Sequence, residues 1–214
     1  MSGGLVIWLH GLGDSGEGWS FLEKELRLPS SVRYIFPTAP TQAVSCNGGA
    51  KMTSWMDLET IPVSLTIADD VNGLRSSTSI VHGIIDQAIA DGTPASKIVV
   101  GGFSQGAAMA QLAGFTYKER LAGVVAFSGW PPLQAELRAA LASGANKQTP
   151  ALVCHGASDN VVLPECGERS KALLEEGGVR KVTYATYYAQ HQAHPQQFLR
   201  LKEFLAEVGV GPAD

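Results

Sequence analysis

Three groups far apart in the chain have the chemistry for acyl transfer: Ser104, Asp159, and a histidine at position 191 or 194. Ser104 lies at the centre of Gly102-Phe103-Ser104-Gln105-Gly106, a G-x-S-x-G stretch. The residues before it, Lys97 to Gly101, are a short β-branched run that reads as a buried strand. Those after it, Ala107 to Ala113, are good helix formers. A serine on such a strand-to-helix turn is lifted above the sheet edge, and glycine flanks it because the turn has no room for side chains there. The following helix supplies unpaired N–H groups and the positive end of its dipole. A serine hydroxyl is a weak nucleophile, so the chemistry also needs a base and an acid that orients the base.

The acid is expected later in the chain, just beyond a strand. Ala151 to His155 reads as that strand and Gly156 to Asn160 as the loop at its end. Asp159 is the only carboxylate between Glu136 and Glu165, which makes it the candidate; the plainer role for it is a helix N-cap. The base is expected between the last strand, Lys181 to Tyr188, and the last helix, Pro195 to Val208. His194 directly precedes Pro195, where a capping role is natural, and His191 lies nearer the strand end. Position alone leaves both open, with His191 the better placed. His10, His82 and His155 read as structural, and His10 is close enough to the first loop to help hold it.

An acyl-transfer site also needs two donors for the oxyanion. The residue after the nucleophile, Gln105, is placed to give one main-chain N–H. Leu12 is placed to give the other, from the glycine-rich loop Gly11 to Gly16 that follows the strand Leu5 to His10. A nucleotide site is not expected in that loop, which lacks the G-x-x-x-x-G-K-[S/T] pattern of a phosphate cradle.

Taken with its other motifs, the chain resembles the acyl-protein thioesterases and their bacterial relatives, the small phospholipase/carboxylesterase group. The resemblance is carried by V-I-W-L-H-G-L-G-D at Val6 to Asp14, P-T-A-P at Pro37 to Pro40, N-G-G at Asn47 to Gly49, and M-T-S-W-M-D at Met52 to Asp57. It continues through G-G-F-S-Q-G at Gly101 to Gly106, L-A-G-V-V-A-F-S at Leu121 to Ser128, and C-H-G-x-x-D at Cys154 to Asp159. It implies an α/β-hydrolase fold: a mostly parallel central sheet with helices on both faces and no large cap domain. It also implies Ser104 as nucleophile, Asp159 as acid, and Leu12 and Gln105 as oxyanion donors. The family's H-x-x-x-P entry to the last helix fits His191 to Pro195, which points to His191 as base. Two departures bear on the site. The loop before His191 is one residue short of the family pattern, and Thr53 replaces a family proline that would stiffen a loop near the site.

These residues need a scaffold, and the pattern of the chain supplies one. Strands are expected near 5–10, 32–36, 97–102, 121–127, 151–155 and 181–187. Helices are expected near 19–27, 66–91, 105–117, 133–143, 164–177 and 195–208. Such alternation predicts a parallel sheet covered on both faces. A length of 214 residues with 45% hydrophobic residues suits a single domain, residues 1–214, with a substantial core.

The segment from Pro37 to Val63 is long and lacks a clear helix, which suggests a functional loop. Trp55, Met56, Leu58, Ile61, Val63, Leu65 and Trp130 offer apolar side chains near the sheet edge; the resemblance implies that loops at these positions line an acyl-binding channel, with Trp55, Leu58, Ile61, Leu65 and Trp130 as its candidate walls. Such walls suit an acyl chain, and the resemblance implies the acyl ester or thioester of a small molecule, a lysophospholipid or an acylated protein as substrate; general short-chain esters are the alternative. A catalytically silent binding module on the same fold is the third reading. No metal or organic cofactor is needed for this chemistry.

The formal net charge of −4 gives no sign of a nucleic-acid surface. No run approaches the length of a membrane-spanning helix. The three cysteines are odd in number and lack metal-ligand spacing, and no secretory leader precedes the first strand, so a cytoplasmic location is expected. Self-association into a homodimer is left open.

Overall fold

The centre of the molecule is set by four short runs, at 5–9, 98–103, 123–127 and 151–156, that are buried from end to end or nearly so. The computed structural model describes residues 3–211. Strand β1 is Leu5–Leu9, β2 Arg33–Ile35, β5 Ile98–Phe103, β6 Gly123–Phe127, β7 Ala151–Gly156 and β8 Val182–Tyr187. They form one sheet in the order β2-β1-β5-β6-β7-β8, and every pairing in it is parallel. β5 and its serine turn therefore lie near the middle of the sheet, with β7 and β8 two and three places away. The loops after these three strands open at the same sheet edge, so residues 104, 159 and 191 can converge.

Successive strand residues face opposite sides, and each side has its own core. Leu5, Ile7 and Leu9 join Val100, Val124 and Val153 on one face; Val6 and Trp8 join Val99, Phe127 and Leu152 on the other. The first face is covered by α3 (Val71–Ala90), α4 (Gln105–Thr116), α5 (Gln134–Ser143) and α6 (Pro164–Glu176). The second is covered by α2 (Phe21–Leu26) and α7 (Pro195–Glu207), with the short α1 (Gly16–Trp19) before α2. Helix α4 is buried from Gln105 to Phe115, which explains why its sequence carries no polar stripe.

Three expectations need correction. The helix expected over 19–27 is two pieces, α1 and α2, meeting at Ser20. The long helix begins at Val71 rather than near 66, because Asp70 caps it, its side chain accepting the Gly73 N–H at 3.0 Å. The segment from Pro37 to Val63 is not irregular throughout: β3 (Thr41–Val44) and β4 (Ala50–Thr53) pair as an antiparallel hairpin.

Candidate active site

The turn after β5 is as tight as its glycines suggest. Ser104 has φ 55° and ψ −121°, a backbone shape that costs a non-glycine residue roughly 1–3 kcal/mol and is kept only where its surroundings enforce it. A Cβ at Gly106 would lie 2.1 Å from the Leu9 carbonyl oxygen, and one at Gly102 would lie 2.5 Å from Gly106. The Ser104 N–H donates to the Phe127 carbonyl at 2.8 Å, which ties the turn to β6.

His191 bridges the two other groups. Its Nε2 lies 2.9 Å from Ser104 Oγ and its Nδ1 2.8 Å from Asp159 Oδ2. Asp159 Oδ1 accepts the N–H groups of Val161 and Val162, each at 2.9 Å. Burial alone would raise the Asp159 pKa, but the His191 bond and these two N–H donors outweigh it and hold the carboxyl below its ordinary value. The carboxylate is therefore charged and fixed, as an orienting acid must be.

The loop carrying His191 is bound to the loop carrying Asp159. Ala157 N–H donates to Tyr187 O at 2.8 Å and Ser158 N–H to Ala189 O at 3.0 Å. A Cβ at Gly156 would lie 2.5 Å from the carbonyl oxygens of both Ala189 and Gln190, so glycine lets the histidine loop cross the end of β7. His194 is engaged elsewhere. It caps α7, its Nδ1 accepting the Gln196 N–H at 3.2 Å, and its ring stacks on Tyr187 at 5.6 Å.

Gln105 is the first residue of α4, so its N–H is one of those the helix leaves unpaired. Its side chain is fully buried. Oε1 accepts the Trp55 N–H at 2.7 Å, and Nε2 donates to the Met56 carbonyl at 2.8 Å. Leu12 lines the cavity above Ser104. Its loop is braced by β4, where Thr53 O accepts the Gly13 N–H at 2.8 Å and the Thr53 hydroxyl donates to Asp14 O at 2.5 Å. Thr53 thus ties the loop down through a hydroxyl that proline lacks, rather than leaving it loose.

His10 holds the same loop from below. Its Nδ1 donates to Gly11 O at 2.6 Å and its Nε2 accepts the Ala39 N–H at 2.9 Å, while burial lowers its pKa and keeps it neutral. Gly11, Gly13 and Gly16 do match the G-x-G-x-x-G spacing of a dinucleotide loop. The helix that follows is only the four-residue α1, and the Gly16 N–H is taken by Thr38 Oγ1 at 3.0 Å. A pyrophosphate-binding helix end is not formed there.

A cavity of about 380 Å³ opens beside Ser104 and His191. Leu58, Ile61 and Trp130 line it. Trp55 does not. It is fully buried beneath the loop, its Nε1–H donating to His10 O at 2.9 Å and its ring 5.4 Å from the imidazole, so it braces the site rather than facing substrate. Leu65 lines a separate small depression with Pro131 and Gln134 and is 48% exposed.

The sequence reading missed Val161 and Val162, which join Leu58, Ile61 and Val63 in the lining. It also missed Asp14, Trp19, Phe21 and Phe103 on the rest of the lining. Val63 pairs with Val162 in an isolated parallel bridge that brings a distant loop to the acid loop, a contact with no local signature in sequence. Among the described residues no group of three histidine, cysteine or carboxylate side chains is arranged to hold a metal ion, and no helix is long and apolar enough to cross a membrane.

A central parallel sheet with helices on both faces and a serine elbow after its middle strand define an α/β-hydrolase. Within that class the chain belongs to the phospholipase/carboxylesterase family, whose sequence profile matches residues 2–208. It is 35% identical over 213 residues to acyl-protein thioesterase 1 of Emericella nidulans, covering 95% of this chain and 89% of the relative. A probable carboxylesterase of Oryza sativa subsp. japonica is 40% identical over 178 residues, which span 81% of this chain and 65% of the rice protein. The crystal structure of Arabidopsis thaliana SOBER1 superposes with a TM-score of 0.91 at 31% identity, covering 96% of this chain and 98% of that one.

Proposed function

We propose that this protein is a serine hydrolase that cleaves carboxylic esters or thioesters of acyl chains through an acyl-Ser104 intermediate. The observation that carries the proposal is the continuous hydrogen-bonded line from Asp159 through His191 to Ser104 at the wall of an apolar cavity. His191 Nε2 takes the hydroxyl proton as Ser104 Oγ attacks the carbonyl carbon. Asp159 accepts the Nδ1–H bond and stabilises the imidazolium that forms. The N–H groups of Leu12 and Gln105 receive the oxyanion; one such donor is typically worth about 2.7–4 kcal/mol. His191 then protonates the departing oxygen or sulfur. Water, activated by the same imidazole, attacks the acyl-enzyme and returns Ser104.

The relatives named as thioesterases and carboxylesterases fit either leaving atom. The cavity favours an acyl chain longer than acetyl, because Leu58, Ile61, Val63 and Trp130 present apolar side chains beside the nucleophile. In the same proposal the chain acts as one catalytic domain. It works in a reducing, cytoplasmic setting, which suits its three free thiols at Cys46, Cys154 and Cys166. The test is hydrolysis of p-nitrophenyl esters by the purified protein and by Ser104→Ala. The wild type is expected to turn over with activity rising from acetate towards octanoate, and the variant to lose at least about a thousandfold in kcat. Undiminished activity in Ser104→Ala would overturn the proposal.

A further inference from the structure

The cavity has two unlike halves. One is largely aliphatic, with Leu58, Ile61, and Val63 bridged to Val162. The other is a row of aromatic rings in contact that starts at the base. Phe103 lies 4.9 Å from His191, Trp19 5.4 Å from Phe103, and Phe21 5.5 Å from Trp19, ring centre to ring centre. Phe21 is 43% exposed and marks the mouth of this half. Among the described residues, one carboxylate, Asp14, joins the same lining.

Asp14 is held in place. Its Oδ1 accepts the Ser15 N–H at 2.7 Å, and the chain makes room for it at Gly18, where a Cβ would sit 2.2 Å from that oxygen. Gly18 and Trp19 are consecutive, so the carboxylate and the aromatic wall share one short piece of backbone that includes α1. Among the described residues, no arginine or lysine lines the cavity.

His191 must protonate the leaving group, so the departing alcohol or thiol lies on the His191 side of Ser104, along the aromatic wall. We infer that this half of the cavity is a cation-selective leaving-group subsite: it takes alcohols or thiols that carry an alkylammonium group, held between the half-exposed ring of Phe21 and the carboxylate of Asp14, with Trp19 buried behind them as backing. Ring faces attract a cation within about 6 Å of their centres, and a nearby carboxylate adds a Coulomb attraction that grows as water is excluded. An anionic leaving group would meet repulsion from Asp14 and no compensating cation. This inference rests on the acyl-serine reading above and adds to it the charge of the group that leaves.

The test compares three butyryl thioesters that share one acyl group: the thiocholine ester, its uncharged 3,3-dimethylbutanethiol counterpart and the anionic 2-mercaptoethanesulfonate ester. The expected order of kcat/KM is cationic, neutral, anionic, with about five- to tenfold between the first two. In Asp14→Asn the cationic-to-neutral ratio is expected to fall at least about threefold. In the wild type the same ratio is expected to shrink as salt rises from about 0.02 M to about 0.5 M. The salt series needs no variant, so a misfolded Asp14→Asn would not spare the inference. Equal rates for all three esters, or an order indifferent to both Asp14 and salt, would overturn the subsite and leave the acyl-serine reading standing. Failure to hydrolyse any of the three would overturn both.

Discussion

The side-chain oxygen of Gln105 accepts the main-chain N–H of Trp55 at 2.7 Å, so the residue next to the nucleophile is bolted to the segment that follows the β3–β4 hairpin. The other end of the same carboxamide donates to Met56 O at 2.8 Å and to Ser54 Oγ at 3.0 Å. Trp55 in turn donates through its indole to His10 O at 2.9 Å. One chain of buried bonds therefore fixes both candidate oxyanion donors, Gln105 directly and Leu12 through the backbone that runs on from His10.

Gln105→Leu removes that bolt and leaves the Trp55 N–H buried without a partner, a loss of roughly 1–3 kcal/mol for the unpaired group alone. Urea melts should show a stability loss of about 2–3 kcal/mol, with Gln105→Glu falling between the variant and the wild type. A loss below about 0.5 kcal/mol would mean that the carboxamide network does not hold the elbow.

The two histidines of the last loop separate cleanly by role. His191→Ala is expected to lower kcat by about a thousandfold or more, because it removes the only imidazole joining Ser104 to Asp159. His194→Ala deletes an N-cap and should cost about 1 kcal/mol of stability with little change in kcat. Purified variants assayed on one ester, with melts in parallel, decide it. The reverse ranking would move the base to His194.

Chain-length preference should follow the cavity rather than the exposed loop around it. Ile61 lines the cavity, whereas Leu65 lies on a separate depression. Each buried methylene contributes at most about 0.8 kcal/mol, close to a fourfold gain in kcat/KM. Ile61→Asp is therefore expected to penalise octanoyl esters at least about tenfold more than acetyl esters, and Leu65→Asp to penalise both alike. Equal penalties from the two variants would remove Ile61 from the acyl wall.

Stability should carry the signature of a charged Asp159. Its folded pKa is depressed, so its contribution is fully present above the ordinary carboxyl value of about 3.9 and is lost as pH falls through the lower folded value. Thermal melts of the wild type and Asp159→Asn should differ most at neutral pH and converge below about pH 4. A gap that widens in acid would show that the carboxyl is protonated in the folded protein.

The elbow, the acid and the strand-helix alternation were legible because each is written locally: glycines around Ser104, one carboxylate after a β-branched run, and periodic apolar residues between breakers. The hairpin was not. Its strands have four residues each, are half exposed, and carry polar Thr41, Gln42 and Lys51 with no regular apolar alternation. Trp55 was misread for a related reason. An apolar residue in a loop near the site can face substrate or pack beneath the loop, and only the distant partner, His10, decides which. Thr53 illustrates the same limit, since the loss of a proline read as a loss of stiffness until its hydroxyl met the Asp14 carbonyl. The start of α3, in contrast, did have a signal: Asp70 three residues before Gly73 is an N-cap placement.

The claim at the centre of this account is that Ser104 is the activated nucleophile. Treating the purified protein with a fluorophosphonate and mapping the adduct by mass spectrometry tests it directly. One stoichiometric adduct on Ser104 is expected, formed at least about a hundredfold more slowly in His191→Ala because the hydroxyl has lost its base. An unlabelled Ser104 in folded protein, or labelling indifferent to His191, would contradict it.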